Sequence, residues 1–296
     1  GICIDASTLA LTPLLLMGSD EQKKRIFGEI NEKKGVAAYA LTEPVAGSDV
    51  QGIKSTAIKK GDKYILNGHK RFITNGEVAE YITVFALADP ERGSRSLSAF
   101  AVPGNSPGVT MVSRLEKMGQ RASVQNEIKF ENVEVPASNL IGGEGYGFLI
   151  AMKTFDRTRT GVASAAVGNA QSAFDYSREW AKKRIQFGHP VTNLQGVSFM
   201  LADMATEIEA ARMLVWRAAW AYDTQQKDFS KLSAMSKYFA TDVAMKVTTD
   251  AVQVMGGEGY SKEHPVEKMM RDAKLSQIYE GTNQVNRLVV SKHILK

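Results

Sequence analysis

The chain has 296 residues, of which 44% are hydrophobic and 23% are charged, a composition typical of a soluble globular protein with about two domains. Its net charge of +5 comes from interspersed Lys and Arg rather than from a basic tail, so we expect no nucleic-acid partner. A single cysteine, Cys3, excludes an internal disulfide, and the longest apolar run, Leu9 to Met17, is too short to span a bilayer.

The first segment, residues 1–34, is predicted to be helical. Leucines fill its first half, and Gly18 ends that helix. Ser19 and Gln22 have the spacing of a capping box, which predicts a second helix running to about Ile30. Because this is too little for an independent domain, we interpret the segment as the remnant of an N-terminal helical domain.

The second segment, residues 35–140, has a different pattern. Six short strand-like runs are separated by turns such as Gly61-Asp62 and Asn67-Gly68. Strands at this spacing without intervening helices favour an antiparallel barrel or sandwich over a doubly wound fold. The predicted strands are Val36 to Leu41, Lys54 to Lys60, Tyr64 to Gly68, Tyr81 to Ala88, Leu97 to Val102 and Glu127 to Val135.

The third segment, residues 141–296, begins with a glycine-rich hinge and continues as long helices. Apolar periodicity predicts helices from about Phe148 to Lys183, from Val197 to Ala219 and from Ser230 to Met255, with a short fourth helix at the end of the chain. Four such helices suggest a bundle. The sequence therefore predicts an α+β multidomain protein, with a helical remnant, a middle β-domain and a C-terminal four-helix bundle.

One carboxylate, Glu280, lies between Tyr279 and a Gly-Thr pair, directly before the last helix. On a turn with apolar neighbours it can be partly desolvated, which raises its pKa toward neutrality and makes it a candidate general base. The alternative is a solvated carboxylate that caps the final helix. The residues around it leave both interpretations open.

Three other stretches each allow a structural and a functional interpretation. Ala40 to Asp49 is either a tight surface turn or a cradle for a planar or phosphorylated ligand. Phe72 is either a core residue or a ring that packs against a flat cofactor. Arg184, in a segment where Gly188 is predicted to end the helix, either complements the helix dipole or contacts a diphosphate.

Several kinds of site are not expected. The glycines in Gln253 to Tyr260 follow a helix and do not form GxGxxG after a strand, so we predict no Rossmann site. The four histidines are scattered, and we predict no metal site. No GxSxG nucleophile elbow occurs. The charges at Asp156 to Arg159, in mid-helix, are typical of a solvated or ion-paired surface.

Taken together, these stretches resemble the acyl-CoA dehydrogenase family. Ala40 to Gly52 is similar to one family signature. A second signature is similar to the stretch that begins with Gln253 to Gly257 and ends with Arg271 to Ala273. Ile278 to Thr282 resembles the segment that carries the catalytic glutamate in short-, medium- and branched-chain members. The similarity covers essentially the whole chain. Because family members have more N-terminal helices, it also implies that most of the N-terminal helical domain is missing.

The resemblance implies an FAD-dependent oxidoreductase that introduces a Cα–Cβ double bond into an acyl-CoA thioester. Glu280 would remove the α-proton while a hydride leaves Cβ for the flavin. The backbone N–H of Glu280 and a ribityl hydroxyl of FAD would polarise the thioester carbonyl. Tyr279 and Thr158 are similar to the short- and medium-chain pattern, which implies a substrate of that length. An electron-transferring flavoprotein would accept the electrons.

The resemblance also assigns binding residues. Those implied to contact the flavin are Tyr39, Leu41, Thr42, Gly47, Ser48, Phe72, Thr74, Thr282 and Gln284. At the Phe72 position the family usually has tryptophan. Those implied to reach the FAD of a neighbouring subunit, in a homo-oligomer that is normally a dimer of dimers, are Arg184, Phe187, Gln195, Gln253, Gly256 and Gly257. Those implied to lie near the acyl-CoA are Ser48, Asp156, Arg159, Tyr279 and Gly281.

Alternatives remain beside this interpretation. Two alternatives have the same fold: an acyl-CoA oxidase, which its reactivity with dioxygen would distinguish from a dehydrogenase, and an enoyl-CoA reductase. A non-catalytic acyl-CoA-binding relative would be expected to lack the base, whereas Glu280 is present. The resemblance implies a role in fatty acid β-oxidation, in the cytoplasm if the protein is bacterial and in the mitochondrial matrix if it is eukaryotic.

Overall fold

A computed structural model describes residues 2–295 and divides into two compact units, each of which is described by itself. The first unit runs to Lys117 and resumes from Arg121 to Phe155, and the second comprises residues 118–120 and those from Asp156 onward. Gly1 and Lys296, at the ends of the first and last predicted domains, lie outside the described residues.

The first unit begins with two helices, α1 (Ile2–Met17) and α2 (Asp20–Glu32). The predicted capping box is present between them. Ser19 Oγ accepts a hydrogen bond from the Gln22 backbone N–H at 3.2 Å, and Gln22 Oε1 accepts one from the Ser19 N–H at 2.9 Å. Two otherwise unpaired N–H groups at the start of α2 are thereby satisfied, which fixes where that helix begins.

Eight strands follow in the first unit and form one sheet. They are β1 (Val36–Ala40), β2 (Thr56–Lys60), β3 (Lys63–Thr74), β4 (Ala79–Leu87), β5 (Leu97–Pro103), β6 (Val109–Arg114), β7 (Gln125–Pro136) and β8 (Leu140–Ile141). Their order is β6-β7-β3-β2-β4-β5-β8, with β1 paired to β4. Most pairs are antiparallel, whereas β1 and β2 each pair with β4 in parallel. Strands β6 and β8 were not predicted.

Apolar side chains cover both faces of this sheet. On one face Phe85 packs with Leu14 of α1 and Ile26 of α2, and the first turns of the long helix α3 (Gly147–Lys183) contribute Ile150. On the other face a second cluster includes Tyr64, Leu66, Phe100 and Phe130. Each fully buried large side chain contributes about 1.5–3 kcal/mol relative to an exposed one, so the sheet is a firm support for the loops at its strand ends.

The second unit contains the rest of α3 and five further helices. A two-stranded hairpin, β9 (Ile185–Gln186) and β10 (His189–Pro190), follows α3. The helices after it are α4 (Gln195–Asp223), α5 (Phe229–Met255), α6 (Gly257–Tyr260), α7 (Val266–Ser276) and α8 (Asn283–Ile294). A continuous cluster of alanine, valine, isoleucine and methionine side chains from these helices forms the core.

The α+β architecture with a β-sheet and C-terminal helices is confirmed, and further details differ from the prediction. Gly188 does not end α3, which stops at Lys183; it lies in the β9–β10 turn with φ 82°, a conformation that favours glycine. Helix α7 was not predicted. The domain boundaries at residues 34 and 140 stay predictions. Within residues 2–295, no helix is long and apolar enough to cross a bilayer.

Candidate active site

The turn that carries Glu280 joins α7 to α8. Glu280 and Gly281 have φ values of 53° and 86°, so two successive residues are left-handed. A non-glycine residue in this region costs free energy, and such strain concentrates at functional sites. Helix α8 is capped by Thr282, whose Oγ1 accepts from the Val285 N–H at 3.2 Å. The cap is therefore supplied by Thr282 and not by Glu280.

The carboxylate of Glu280 is held by α3. Thr158 Oγ1 donates to Glu280 Oε2 at 2.6 Å, and Arg159 Nε donates to the backbone oxygen of Glu280 at 3.3 Å. Arg159 is buried, and its Nη1 lies 3.0 Å from Asp156 Oδ1. Burial lowers the pKa of Arg159, and the charges of Asp156 and Glu280 oppose that shift. Asp156 and Arg159, expected at a helix surface, are thus part of the structure around Glu280.

A residue that the sequence analysis missed, Lys237 of α5, lies against this turn. Its Nζ donates to the Gly281 carbonyl at 2.8 Å and to Asn283 Oδ1 at 2.9 Å, and the side chain is 0% exposed. Burial lowers the pKa of Lys237 to about 7; two nearby carboxylates oppose this shift and the charge of Arg159 adds to it. One sequence signal was available, because Lys237 shares a helical face with small buried residues such as Ala240.

Asp242, one turn further along α5, holds both ends of the same turn. Its Oδ1 accepts from Gln277 Nε2 at 2.6 Å and from Asn283 Nδ2 at 2.7 Å. Its Oδ2 accepts from Arg287 Nη2 at 2.6 Å. The seven residues that follow α7 are therefore tied to one helix by charged and amide side chains, which preorganises the carboxylate that they present.

The six residues expected to face a neighbouring subunit are exposed on the second unit: Arg184, Phe187, Gln195, Gln253, Gly256 and Gly257. Phe187 is 86% exposed and has φ 53°, so its ring has no role in the core of this chain. Arg184 stacks on Trp180 with its guanidinium 5.9 Å from the ring centroid. Gln284 is exposed in the first turn of α8.

Of the flavin contacts expected in the first unit, five lie in or directly after the last residues of β1 and β3: Tyr39, Leu41, Thr42, Phe72 and Thr74. The other two, Gly47 and Ser48, lie in the loop that follows β1. The Arg71 N–H donates to the Thr42 carbonyl at 2.9 Å, which joins the two strand ends. Phe72 has φ 60° and its side chain is 54% exposed, so an aromatic ring lies at the surface on a strained backbone. These features fit a flat aromatic cofactor better than a core role.

A buried ion pair that the sequence analysis also missed supports this turn. Lys70 Nζ donates to Glu43 Oε1 at 2.9 Å and to the Leu41 carbonyl at 3.0 Å, and Lys70 is 0% exposed. Glu43 also accepts from the backbone N–H groups of Lys54 and Ser55, at 2.7 and 3.0 Å. Burial raises the pKa of Glu43, but the charge of Lys70 and these hydrogen bonds outweigh it and leave the pKa below its ordinary value.

Metal chemistry has no candidate ligand set in the part of the chain that the structure describes. No group of three or more His, Cys, Asp or Glu side chains there is arranged to hold a metal ion.

Comparison with known proteins identifies two matching family models. The model described as acyl-CoA dehydrogenase, middle domain, matches residues 38–133, and the one described as acyl-CoA dehydrogenase, C-terminal domain, matches residues 145–295. Together these matches cover most of the chain, and they include the candidate residues of both units.

Individual relatives are similar over nearly the whole chain. A cyclohex-1-ene-1-carbonyl-CoA dehydrogenase of Geobacter metallireducens is 48% identical over 98% of this chain and 77% of its own. The solved structure of butyryl-CoA dehydrogenase from Megasphaera elsdenii matches with a TM-score of 0.96 and 44% identity, over 100% of this chain and 77% of that one. A chain from a structural study of the electron transferring flavoprotein of Acidaminococcus fermentans matches with a TM-score of 0.96 and 47% identity. The match covers 100% of this chain and 78% of that one.

Proposed function

This chain belongs to the acyl-CoA dehydrogenase family of FAD-dependent oxidoreductases, and we propose that it oxidises a short- to medium-chain acyl-CoA to the trans-2-enoyl-CoA with Glu280 as the base. The observation that carries the proposal is the position of the Glu280 carboxylate. It is half-buried on a left-handed turn and accepts a 2.6 Å hydrogen bond from Thr158. A carboxylate fixed in this way can take a proton from a substrate held beside it.

In the proposed reaction Glu280 accepts the α-proton of the thioester. The electron pair of the broken Cα–H bond becomes the second bond between Cα and Cβ as a hydride leaves Cβ. FAD, when bound, supplies the acceptor for that hydride. Because an α-proton of a thioester is weakly acidic, the carbonyl must be polarised, and we assign this to the backbone N–H of Glu280. Gly281 and Tyr279, on either side, would line the same site.

The residues proposed to contact the isoalloxazine are, in the first unit, those at and after the ends of β1 and β3, and, in the second unit considered by itself, Thr282 and Gln284. The exposed ring of Phe72 supports this, because an aromatic side chain with a strained backbone and no core role is suited to packing on a flat ring system. Ser48, Asp156 and Arg159 are proposed to lie near the CoA portion of the substrate.

Relatives support two substrate classes. Similarity to butyryl-CoA dehydrogenase supports a short straight chain. Similarity to cyclohex-1-ene-1-carbonyl-CoA dehydrogenase makes an alicyclic acyl-CoA the second candidate. An electron-transferring flavoprotein is the proposed electron acceptor, supported by the similarity to a chain from the Acidaminococcus fermentans study. We propose the cytoplasm as the location in a bacterium and the mitochondrial matrix in a eukaryote.

The test is the visible spectrum of the purified, FAD-loaded protein under anaerobic conditions. Butyryl-CoA, octanoyl-CoA and cyclohex-1-ene-1-carbonyl-CoA are added separately. We expect the flavin absorbance to bleach with butyryl-CoA or octanoyl-CoA, and the rates to rank the chain lengths. Bleaching only by the cyclic thioester would replace the straight-chain proposal with the alicyclic one.

Other outcomes separate the remaining alternatives. Rapid reoxidation by dioxygen with peroxide release would indicate an oxidase, and oxidation of the reduced protein by an enoyl-CoA in preference to an electron-transferring flavoprotein would indicate a reductase. A yellow protein that none of the thioesters bleaches would contradict the proposed reaction.

We also propose that the protein is a homo-oligomer, with a dimer of dimers as the expected form. Helix α4 supports this, because large apolar side chains project from it into solvent. Met213, Trp216 and Trp220 lie three or four residues apart on one face, and each is more than half exposed. Tryptophans exposed on one helix face are typical of a protein interface.

Trp216→Glu and Trp220→Glu are expected to lower the oligomeric state, because each places a charge in the centre of an apolar contact. Sedimentation velocity of the wild type and the variants measures this. Val112→Glu, at an exposed apolar position in the first unit, is the matched control and is expected to leave assembly unchanged. A monomeric wild type would contradict the oligomer, and variants with unchanged assembly would exclude this face from the interface.

A further inference from the structure

Lys237 places an ionisable amine where a charge is costly. The side chain is 0% exposed, and a buried ammonium group loses its hydration unless strong partners replace it. The hydrogen bonds of its Nζ are to the Gly281 carbonyl and to Asn283 Oδ1. The cost of burying this group therefore opposes the gain from its two hydrogen bonds.

The partner of Lys237 lies directly beside the base. Gly281 follows Glu280, and its carbonyl accepts from both Lys237 Nζ and Asn286 Nδ2, each at 2.8 Å. This carbonyl belongs to the peptide plane between Gly281 and Thr282, and two donors fix the orientation of that plane, so the chain is anchored one residue after Glu280. The left-handed backbone of Glu280 persists only if its surroundings hold it there.

The charged groups that face Lys237 come from each element around it. Glu280 on the turn and Asp242 on α5 favour its cationic form, whereas Arg159 on α3 opposes it. The attraction between Lys237 and Glu280 is mutual, so the ammonium also favours the ionised carboxylate, which is the form that can accept a proton.

We propose that Lys237 is a positioning residue for Glu280, because its buried side chain fixes the Gly281 carbonyl and thereby the direction of the catalytic carboxylate. The inference rests on the proposed function. It gives Lys237 two separable effects: a geometric one, through the hydrogen bond to Gly281, and an electrostatic one, through its charge.

The test compares Lys237→Met with Thr248→Val in the FAD-loaded enzyme. Met keeps the length of the side chain and removes the donor and the charge, and an apolar replacement of a buried charge is often tolerated. The fold is expected to survive, because Asn286 still donates to Gly281 and Thr241 still bonds to Asn283. Thr248 is a suitable control, since it is also fully buried on α5 but bonds only to carbonyls of its own helix.

Lys237→Met is expected to lower kcat by about 10²-fold, the scale of a misplaced reacting group, with a much smaller change in KM. Loss of the cation is expected to move the acid limb of the kcat/KM profile to higher pH, which a purely structural role would not do. Hydrogen exchange in a peptide covering residues 277–286 is expected to accelerate by about tenfold or more, corresponding to loss of one local restraint. Thr248→Val is expected to match the wild type in all three measurements.

A Lys237→Met enzyme with wild-type kcat, acid limb and hydrogen exchange would overturn the inference. So would equal losses in Thr248→Val, since the effect would then be general to α5. If Lys237→Met does not fold, Lys237→Gln, which keeps a neutral donor, is measured in the same way. Its kcat is expected to stay close to the wild-type value, whereas the acid limb of its kcat/KM profile is expected to move to higher pH. Failure of the wild type to oxidise any acyl-CoA contradicts the proposed function instead, so the two failures are distinguishable.

Discussion

Glu280→Gln is expected to lower the rate of flavin reduction by about 10²–10⁴-fold, the usual contribution of a positioned general base. The amide has nearly the same size as the carboxylate, and its oxygen can still accept the hydrogen bond from Thr158. It cannot take up the α-proton at neutral pH, so the Cα–H bond stays intact. Anaerobic stopped-flow absorbance at the flavin band, after mixing with the best acyl-CoA, measures the effect.

Two further variants sharpen this experiment. Glu280→Asp keeps the charge but withdraws it by one methylene, and we expect an intermediate rate because the base no longer reaches the α-proton in good geometry. Glu263→Gln makes the same chemical change at an exposed carboxylate and is expected to have the wild-type rate. Full flavin reduction in Glu280→Gln at the wild-type rate would show that the base lies elsewhere.

The sequence predicted where the base lies but not what holds it. The turn before a helix follows from the local pattern of Gly281, Thr282 and the apolar periodicity of α8, all within a few residues of Glu280. Lys237 lies 44 residues before its partner Gly281, and Asp242 lies 41 residues before its partner Asn283. A spacing of that size carries no periodic signal, so only the packing of α5 against α8 reveals the contacts.

The same limit explains the missed elements of the fold. In β6 the exposure of the side chains alternates regularly, but the residue types do not follow it: the apolar Val112 is exposed and the polar Ser113 is half-buried. The alternation of apolar and polar residues by which strands are found is therefore missing from this stretch. Helix α7 buries Asp272, which accepts a hydrogen bond from the Gln120 N–H at 2.6 Å, so its inward face is partly polar. Long-range hydrogen bonds of this kind are invisible in a local pattern.

Lys70→Met is expected to destabilise the first unit by about 3–5 kcal/mol, because it leaves the Glu43 carboxylate buried without its countercharge. The Leu41 carbonyl loses its donor at the same time, so the turn that would hold the flavin loosens. Native-state hydrogen exchange in a peptide from β3 measures the free energy of opening for this unit without assuming that the whole chain unfolds in one step. We expect weaker FAD retention to accompany the loss.

The double variant Lys70→Met with Glu43→Gln decides whether the charge or the packing matters. If the cost of Lys70→Met is the uncompensated charge of Glu43, neutralising both groups recovers most of the opening free energy, because the amide that replaces this carboxylate still accepts a hydrogen bond from Ser55 or Lys54. Lys60→Met, at an exposed position of β2, is the control and is expected to change stability by less than about 0.5 kcal/mol. Additive losses in the double variant would mean that the pair stabilises the strand ends by packing alone. Recovery would mean that a buried ion pair is kept here for the conformation it imposes on the turn after β1, since its net contribution to stability is then small.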